Sequence, residues 1–119
     1  MNAVISNDIG MITLSQEVIA AVAGLAATEC YGVVGMAVKN VKDGIVTLLK
    51  KENLKKGVVI KISENNEVKI NLHIIVEYGV NIPAVSETIS STVSYRVQEY
   101  TGLTVECVNI YVEGIRLDG

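Results

Sequence analysis

The fold is decided by the stretch at residues 68–77, VKINLHIIVE. Nine of its ten positions alternate between apolar and other side chains, which predicts a β-strand with one buried face and one polar face. The run before it, VVIKIS at residues 58–63, alternates in the same way, and the turn-forming residues ENNE at 64–67 separate the two. The sequence therefore predicts a β-hairpin at the centre of the molecule.

Two helices are predicted, one on each side of this hairpin. Ser15 is a typical N-cap residue, and the helix predicted at 15–31 is apolar on all sides from Val18 to Ala27, which indicates cover on more than one face. The second helix, at 82–101, contains Pro83 in its first turn, where proline is tolerated. Its apolar side chains recur at helical spacing: Val85, Ile89, Val93, Val97 and Tyr100.

Weaker patterns complete the order of elements. They predict strands at 9–14, 33–38 and 103–113 and a further helix at 43–53, and the last strand shifts its apolar phase around Cys107–Val108, as a bulge or two-sided cover would. The order is therefore β-α-β-(α)-β-β-α-β. It predicts an α+β fold, a two-layer sandwich in which helices pack on one face of a mixed sheet, as a single domain over residues 1–119.

The composition indicates one soluble cytosolic domain with an aliphatic core. The chain has 119 residues, half of them apolar, with five Tyr and neither Phe nor Trp. Its longest uncharged stretch has 11 residues, whereas a membrane span needs about 20, and no secretory signal precedes it. Cys30 and Cys107 lie in apolar patterns, which favours reduced thiols in the core over a disulfide or redox pair.

Charge is distributed unevenly along the chain. Residues 39–56 hold six lysines and two acids, a balance of +4, while the remaining residues have a balance of −7. The candidate interaction surface in this segment consists of Lys50, Lys51, Lys55 and Lys56. It fits an anionic membrane surface, nucleic acid or an acidic partner. A nucleic-acid partner is not favoured, because the segment lacks aromatic residues and arginines, and a solvated face of an amphipathic helix is the simpler alternative.

No group of residues predicts catalysis, cofactor binding or a metal site. The single histidine, His73, falls on the polar phase of its strand without an evident partner, and one histidine with two isolated cysteines cannot supply a zinc site. The serines at 86, 90, 91 and 94 fit a solvated helix face. A G-x-x-G at 32–35 is of the kind that KH domains use, but both of its central residues are Val and a strand is predicted next.

Three segments together resemble the alkaline-shock protein family, envelope stress response proteins of Gram-positive bacteria. They are GMITLSQEVI at 10–19 with CYGVVGM at 30–36, LHIIVEYG at 72–79, and VNIYVEGI at 108–115. The resemblance covers nearly the whole chain. It implies a non-enzymatic cytosolic protein that self-associates and that a separate anchor protein can hold at the membrane. Small members of the family are often encoded beside a dihydroxyacetone-kinase-like protein associated with fatty-acid phosphorylation, so the resemblance implies this protein as a partner. It brings no catalytic residues.

The function predicted from the sequence is therefore that of a non-enzymatic, homo-oligomeric scaffold or adaptor in cell-envelope stress response or homeostasis. Two alternatives remain open. One is a nucleic-acid or anionic-membrane binder that uses the lysine-rich segment, and the other is an accessory partner of the kinase-like protein. A membrane-anchor protein is a further expected partner, and no cofactor is expected.

Overall fold

The described residues form two α-helices and two β-sheets. The structure, a computed structural model, describes residues 2–39, 42 and 44–117, and for residues 39, 51 and 52 it describes the backbone alone. The strands are β1 Ala3–Ser6, β2 Met11–Leu14, β3 Val33–Lys39, β4 Val46–Leu48, β5 Val58–Ile62, β6 Glu67–Glu77 and β7 Thr104–Arg116. The helices are α1 Gln16–Thr28 and α2 Ile82–Thr101, and a short 3₁₀ helix, here called the lysine turn, spans Lys51–Gly57. The predicted α+β class with a mixed sheet is confirmed.

Strand β6 is the centre of the five-stranded sheet. Along one edge it pairs in parallel with β7 over its whole length, from Glu67 to Glu77. Its other edge is shared by two antiparallel strands placed end to end, β5 opposite residues 68–72 and β3 opposite residues 74–76. Strand β4 extends the sheet beyond β3. A single strand thus organises the sheet, which is why its alternating pattern is the strongest signal in the sequence.

The predicted alternation of β6 is confirmed. Every second side chain is buried, each at most 1 % exposed: Val68, Ile70, Leu72, Ile74 and Val76. Both helices pack over this face, with Ile19 of α1 and Ile89, Val93 and Val97 of α2 fully buried. Across the helix pair Arg96 Nη2 donates to Glu29 Oε2 at 3.0 Å. The apolar core therefore lies between the helices and one face of the sheet, which leaves the other face open.

The predicted helix at 43–53 is wrong. The described residues of that range form β4 and the start of the lysine turn, while Asp43 lies outside the described residues. The Leu49 N–H donates to the Met36 carbonyl at 2.8 Å, and Leu54 packs over Gly24 of α1, where its Cβ lies 3.3 Å from the position a Cβ would take. These long-range contacts override a local spacing that resembles a helix.

Helix α1 is covered on several sides by its own domain, as its apolar sequence predicts. Helix α2, β3, β5 and the lysine turn all contact it, and its buried residues are Ile19, Ala20, Ala23, Gly24, Ala26 and Ala27. Only a stripe that includes Val18 and Leu25 is exposed, at 49 % and 44 %. The helix therefore needs less cover from a partner than its sequence alone indicates.

An N-terminal hairpin of β1 and β2 forms a separate two-stranded sheet. The sequence predicts one strand at 9–14 and misses β1. Ala3 is fully buried in the core, and Asn66 Nδ2 donates to the Val4 carbonyl at 2.8 Å, which fastens the hairpin to the turn between β5 and β6. The observed order is therefore β-β-α-β-β-3₁₀-β-β-α-β.

Strand β7 contains two bulges. Its register against β6 shifts once between Val105 and Cys107 and once between Val112 and Gly114, so Glu106 and Glu113 are the extra residues. The first bulge confirms the predicted phase shift near Cys107. Each bulge changes which side chains of β7 face the helices, so a single alternation of inward and outward side chains does not run through the whole strand.

Candidate functional site

The lysine surface predicted from the sequence lies in and beside the lysine turn. Lys50, Lys55 and Lys56 are exposed around the lysine turn, while the side chain of Lys51 lies outside the described residues. Lys55 Nζ lies 3.3 Å from Glu17 Oε2 in the first turn of α1, and both side chains are largely solvated. A pair this exposed contributes little to stability, but it offsets part of the positive charge of the surface.

A shallow cleft of about 360 Å³ lies beside these lysines. The lysine turn contributes Lys55 and Lys56, α1 contributes Gln16, Glu17 and Ala20, and β5 contributes Val58 and Ile60. The acidic side chain of Glu17 stands at the same opening as the two lysines. The cleft is therefore of mixed charge, with an apolar floor.

The open face of the sheet is lined by polar side chains that pair across β6 and β7. Asn109 Nδ2 donates to Asn71 Oδ1 at 2.9 Å, and Arg116 Nη2 donates to Glu77 Oε1 at 3.3 Å. Lys69 Nζ lies 3.9 Å from Glu106 Oε1. These are the cross-strand neighbours that stabilise a sheet, each worth about 0.2–1 kcal/mol. The polar face thus has a structural role.

His73 lies in the middle of this face, as its strand phase predicts. Its ring stacks on Tyr111, with ring centroids 4.9 Å apart and planes at 12°. Its Nδ1 is 4.0 Å from Glu113 Oε2, too far for a hydrogen bond. Among residues 2–39, 42 and 44–117, no cluster of three or more metal-ligating side chains occurs. The stacked pair is a cross-strand contact between β6 and β7, and it stabilises the sheet.

An apolar groove of about 500 Å³ occupies the far end of the open face. Four strands and the residue after β7 line it through Val34, Val46, Leu48, Ile75, Gly114, Ile115, Arg116 and Leu117. Leu117 is 75 % exposed, Ile115 49 % and Leu48 46 %. Exposed aliphatic side chains grouped in this way are typical of binding surfaces. Sequence reasoning missed the groove, because its residues lie far apart in the chain and follow no common motif.

The remaining sequence motifs have structural explanations. Gly32, at φ +87°, follows the end of α1, and β3 begins at Val33, so the G-x-x-G segment does not join two helices as in a KH domain. Ser90, Ser91 and Ser94 of α2 line a shallow depression against β7. Both cysteines are free thiols, Cys30 buried and Cys107 half-buried. Within the described part of the chain, neither helix is long and apolar enough to cross a bilayer.

Comparison with known proteins gives a consistent result. A model of the alkaline shock protein family, described as having a cell envelope-related function, matches residues 4–117. The uncharacterized protein YloU of Bacillus subtilis is 48 % identical over 109 residues, which cover 91 % of this chain and 90 % of that protein. A stress response regulator gls24 homolog of Streptococcus pyogenes is 30 % identical, over 90 % of this chain and 59 % of the homolog. No solved structure matches the chain.

Proposed function

The chain belongs to the alkaline shock protein family, as its sequence resemblance predicts, and we propose that it acts as a self-associating scaffold or adaptor in the cell-envelope stress response. The cell-envelope part of the proposal is supported by the description of the family, and the stress part by the name of the gls24 homologs. The scaffold part is supported by the surface of the molecule itself.

The observation that carries the proposal is the apolar groove. Burying an exposed Leu or Ile side chain is favourable by about 1.5–3 kcal/mol, and this groove presents three such side chains, Leu48, Ile115 and Leu117, together. A small domain with a well-buried core gains nothing in its own stability from leaving them in water. A partner that covers them gains binding energy, so the groove fits a protein that works by contact.

A non-enzymatic role is part of the same proposal. It is supported by the gls24 name, which denotes a regulator, and by the way the polar groups of the open face pair with each other. The ring of His73 is stacked on Tyr111, and its Nδ1 lies 4.0 Å from Glu113 Oε2, beyond hydrogen-bond distance.

Light scattering tests the proposal directly. The average mass in solution is expected to rise above the 12.8 kDa of one chain as the protein concentration is raised from micromolar to millimolar. Because the groove is apolar, added salt should leave this association intact or strengthen it. A mass that stays at one chain over the whole range would contradict self-association.

A second candidate function is the binding of an anionic surface through the lysine turn. The observation that favours it is the exposure of Lys50, Lys55 and Lys56 within seven residues of one another. Co-sedimentation with vesicles rich in anionic lipid should be lost at high salt and in the variant with all three lysines changed to Glu. Changing the exposed Lys61 of β5 to Glu is the matched control. Failure to sediment even at low salt would eliminate this function.

The adaptor role concerns the partners that the family resemblance implies, a membrane-anchor protein and a dihydroxyacetone-kinase-like protein. Co-purification of either protein from native lysate, together with loss of the complex when Leu117 is changed to Asp, would support an adaptor that uses the groove. A complex that forms equally well with that variant would place the adaptor contact elsewhere on the surface.

A further inference from the structure

The tip of the N-terminal hairpin projects apolar side chains into solvent. Ile9 is 97 % exposed, Met11 69 % and Ile12 58 %. The tip is an ordered turn: the Asn7 N–H donates to the Gly10 carbonyl at 2.9 Å, and Asn7 Oδ1 accepts from the Ile9 N–H at 2.8 Å. Ile9 is therefore held outward by a hydrogen-bonded turn, as a small apolar projection.

The hairpin and the apolar groove lie at opposite ends of the central strand. Asn66, which holds the hairpin, directly precedes β6, whereas Ile75 in the floor of the groove lies near its end. An 11-residue strand is about 35 Å long. The molecule measures 54 × 31 × 22 Å, and the run from Asn66 to Ile75 alone spans about 30 Å, so the groove lies far from the point where the hairpin is held. A chain of this shape cannot fold its own tip into its own groove without losing the bonds at Asn66.

We propose that the hairpin tip of one copy docks into the apolar groove of a second copy. The inference rests on the proposed self-association and names the two surfaces that produce it. Both surfaces are apolar at their centres, and each carries a polar group that the other can meet. Asp8 is exposed beside Ile9 on the tip, and Arg116, which lines the groove, shares only an exposed ion pair with Glu77 and keeps further guanidinium N–H groups for a second carboxylate. Burying the tip removes exposed Ile and Met surface from water on one side and Leu and Ile surface on the other.

The contact is heterologous, because it joins two different patches. Every docked copy still offers one unused tip and one unused groove, so the assembly grows as an open chain or closes into a ring. A hairpin tip covers only a small area, and the contact falls below the ~1,200 Å² in total that marks weak, reversible interfaces. We therefore expect association in the micromolar range or weaker, with a distribution of sizes that depends on concentration.

Two variants separate the surfaces. Ile9→Asp alters the tip and Leu117→Asp alters the groove, and both positions are exposed enough to accept the change without loss of the fold. Each purified variant alone is expected to remain a monomer, because a carboxylate would be buried in an apolar contact. Leu25→Asp, on the exposed stripe of α1, is the matched control and should associate like the unaltered chain.

Mixing the two variants gives the decisive measurement. The Ile9→Asp chain keeps an intact groove and the Leu117→Asp chain keeps an intact tip, so an equimolar mixture should form dimers and nothing larger. Analytical ultracentrifugation measures this directly. A mixture that stays monomeric, or a variant that associates like the unaltered chain, would overturn the docking while leaving self-association to another surface. An unaltered chain that is itself monomeric would overturn both.

Discussion

Gly57 shows how much a single side-chain position decides in this fold. It lies where β5 begins beside β3, and an added Cβ would stand 3.0 Å from the Ala37 carbonyl oxygen and 3.0 Å from Met36 Cβ. One of these neighbours is backbone in a hydrogen-bonded sheet and cannot yield easily. The glycine is therefore required by the close approach of two strands that share one edge of β6.

Gly57→Ala is expected to lower the free energy of unfolding by about 1–3 kcal/mol, as overpacking of a core does. Urea unfolding followed by circular dichroism measures the change as a lower midpoint with an unchanged slope. Gly10→Ala is the control, because nothing lies within 4 Å of an added Cβ there. Equal midpoints for the two variants would show that β3 can move aside.

Tyr95 gives a prediction for alkaline pH. The hydroxyl of this exposed side chain donates to the Glu99 carboxylate one turn along α2, and that bond together with the nearby negative charge raises the pKa of Tyr95 above 10.0. The protonated phenol is thus favoured in the folded chain. Its stabilising effect is complete below the ordinary pKa of tyrosine and is lost as the pH rises through the raised pKa.

Glu99→Ala removes both the hydrogen bond and the negative charge beside Tyr95, so the pKa of Tyr95 should fall toward its ordinary value. Ultraviolet absorbance of the phenolate measures this, and subtraction of the Tyr95→Phe titration isolates the one residue. An unchanged titration curve would mean that the bond to Glu99 does not form in solution.

At the scale of the elements, the lysine turn has a structural role in addition to carrying positive charge. Its Leu54 packs on α1 at Gly24, where α1 has no side chain, while Lys55 and Lys56 remain exposed. The segment therefore covers α1 and completes the core beside β5. Its lysine side chains lie in solvent, while Leu54 holds the segment against α1.

Leu54→Ala is expected to destabilise the chain by about 1–2 kcal/mol, the lower part of the range for a buried leucine because Leu54 is half-buried. Lys56→Ala, in the same turn, should change stability by less than about 0.5 kcal/mol. Thermal unfolding of both variants provides the comparison. If the two variants unfold alike, the turn does not cover the helix.

The sequence predicted the elements whose signals are local. Burial alternates over the full length of β5 and β6, and apart from Val59 and Ile75 the apolar and polar residues follow it. Helix α2 has a proline near its start, a glycine at its end and an apolar stripe between them. Both signals depend on nearest neighbours in the chain. For that reason the β5–β6 hairpin, α2 and the class of the fold were predicted correctly.

Elements that depend on distant partners were predicted poorly. Strand β1 has four residues and becomes a strand only by pairing with β2. Ile45, Leu48 and Leu49 have helical spacing, yet Leu48 pairs with Ala37 in the sheet. The groove is the extreme case, since it is assembled from four strands and Leu117. In contrast, the lysines were visible in the sequence, but the contact of Lys55 with Glu17 was not, because the two residues are 38 positions apart.

On the scale of the whole molecule, stability should be uneven. The β1–β2 sheet has two strands, and it is fastened to the core by Ala3, Ile5 and Leu14 and by the Asn66 bond. Strand β6, in contrast, has neighbours on both edges and helices above it. Isolated two-stranded sheets are marginal in water. The hairpin should therefore open locally long before the domain unfolds.

Hydrogen exchange measured by mass spectrometry tests this unevenness. Backbone amides of β2 are expected to exchange at least tenfold faster than those of β6. Asn66→Ala should further raise the exchange rate of the β1–β2 hairpin without changing that of β6. Val59→Ala, at an exposed position of β5, is the control for a general loss of stability. Equal protection of β2 and β6 would show that the hairpin is part of the main cooperative unit.

The parallel pairing of β6 with β7 has a consequence for biosynthesis. Strand β7 is made after every other element described here, and α2 separates it from β6 in the chain. Until β7 has been synthesised, β6 can therefore pair with β3 and β5 along one edge only, and its other edge has no partner strand. A nascent chain paused after α2 would expose that edge to other chains. The edge is protected from aggregation only after residues 104–116 have been synthesised and have paired with β6.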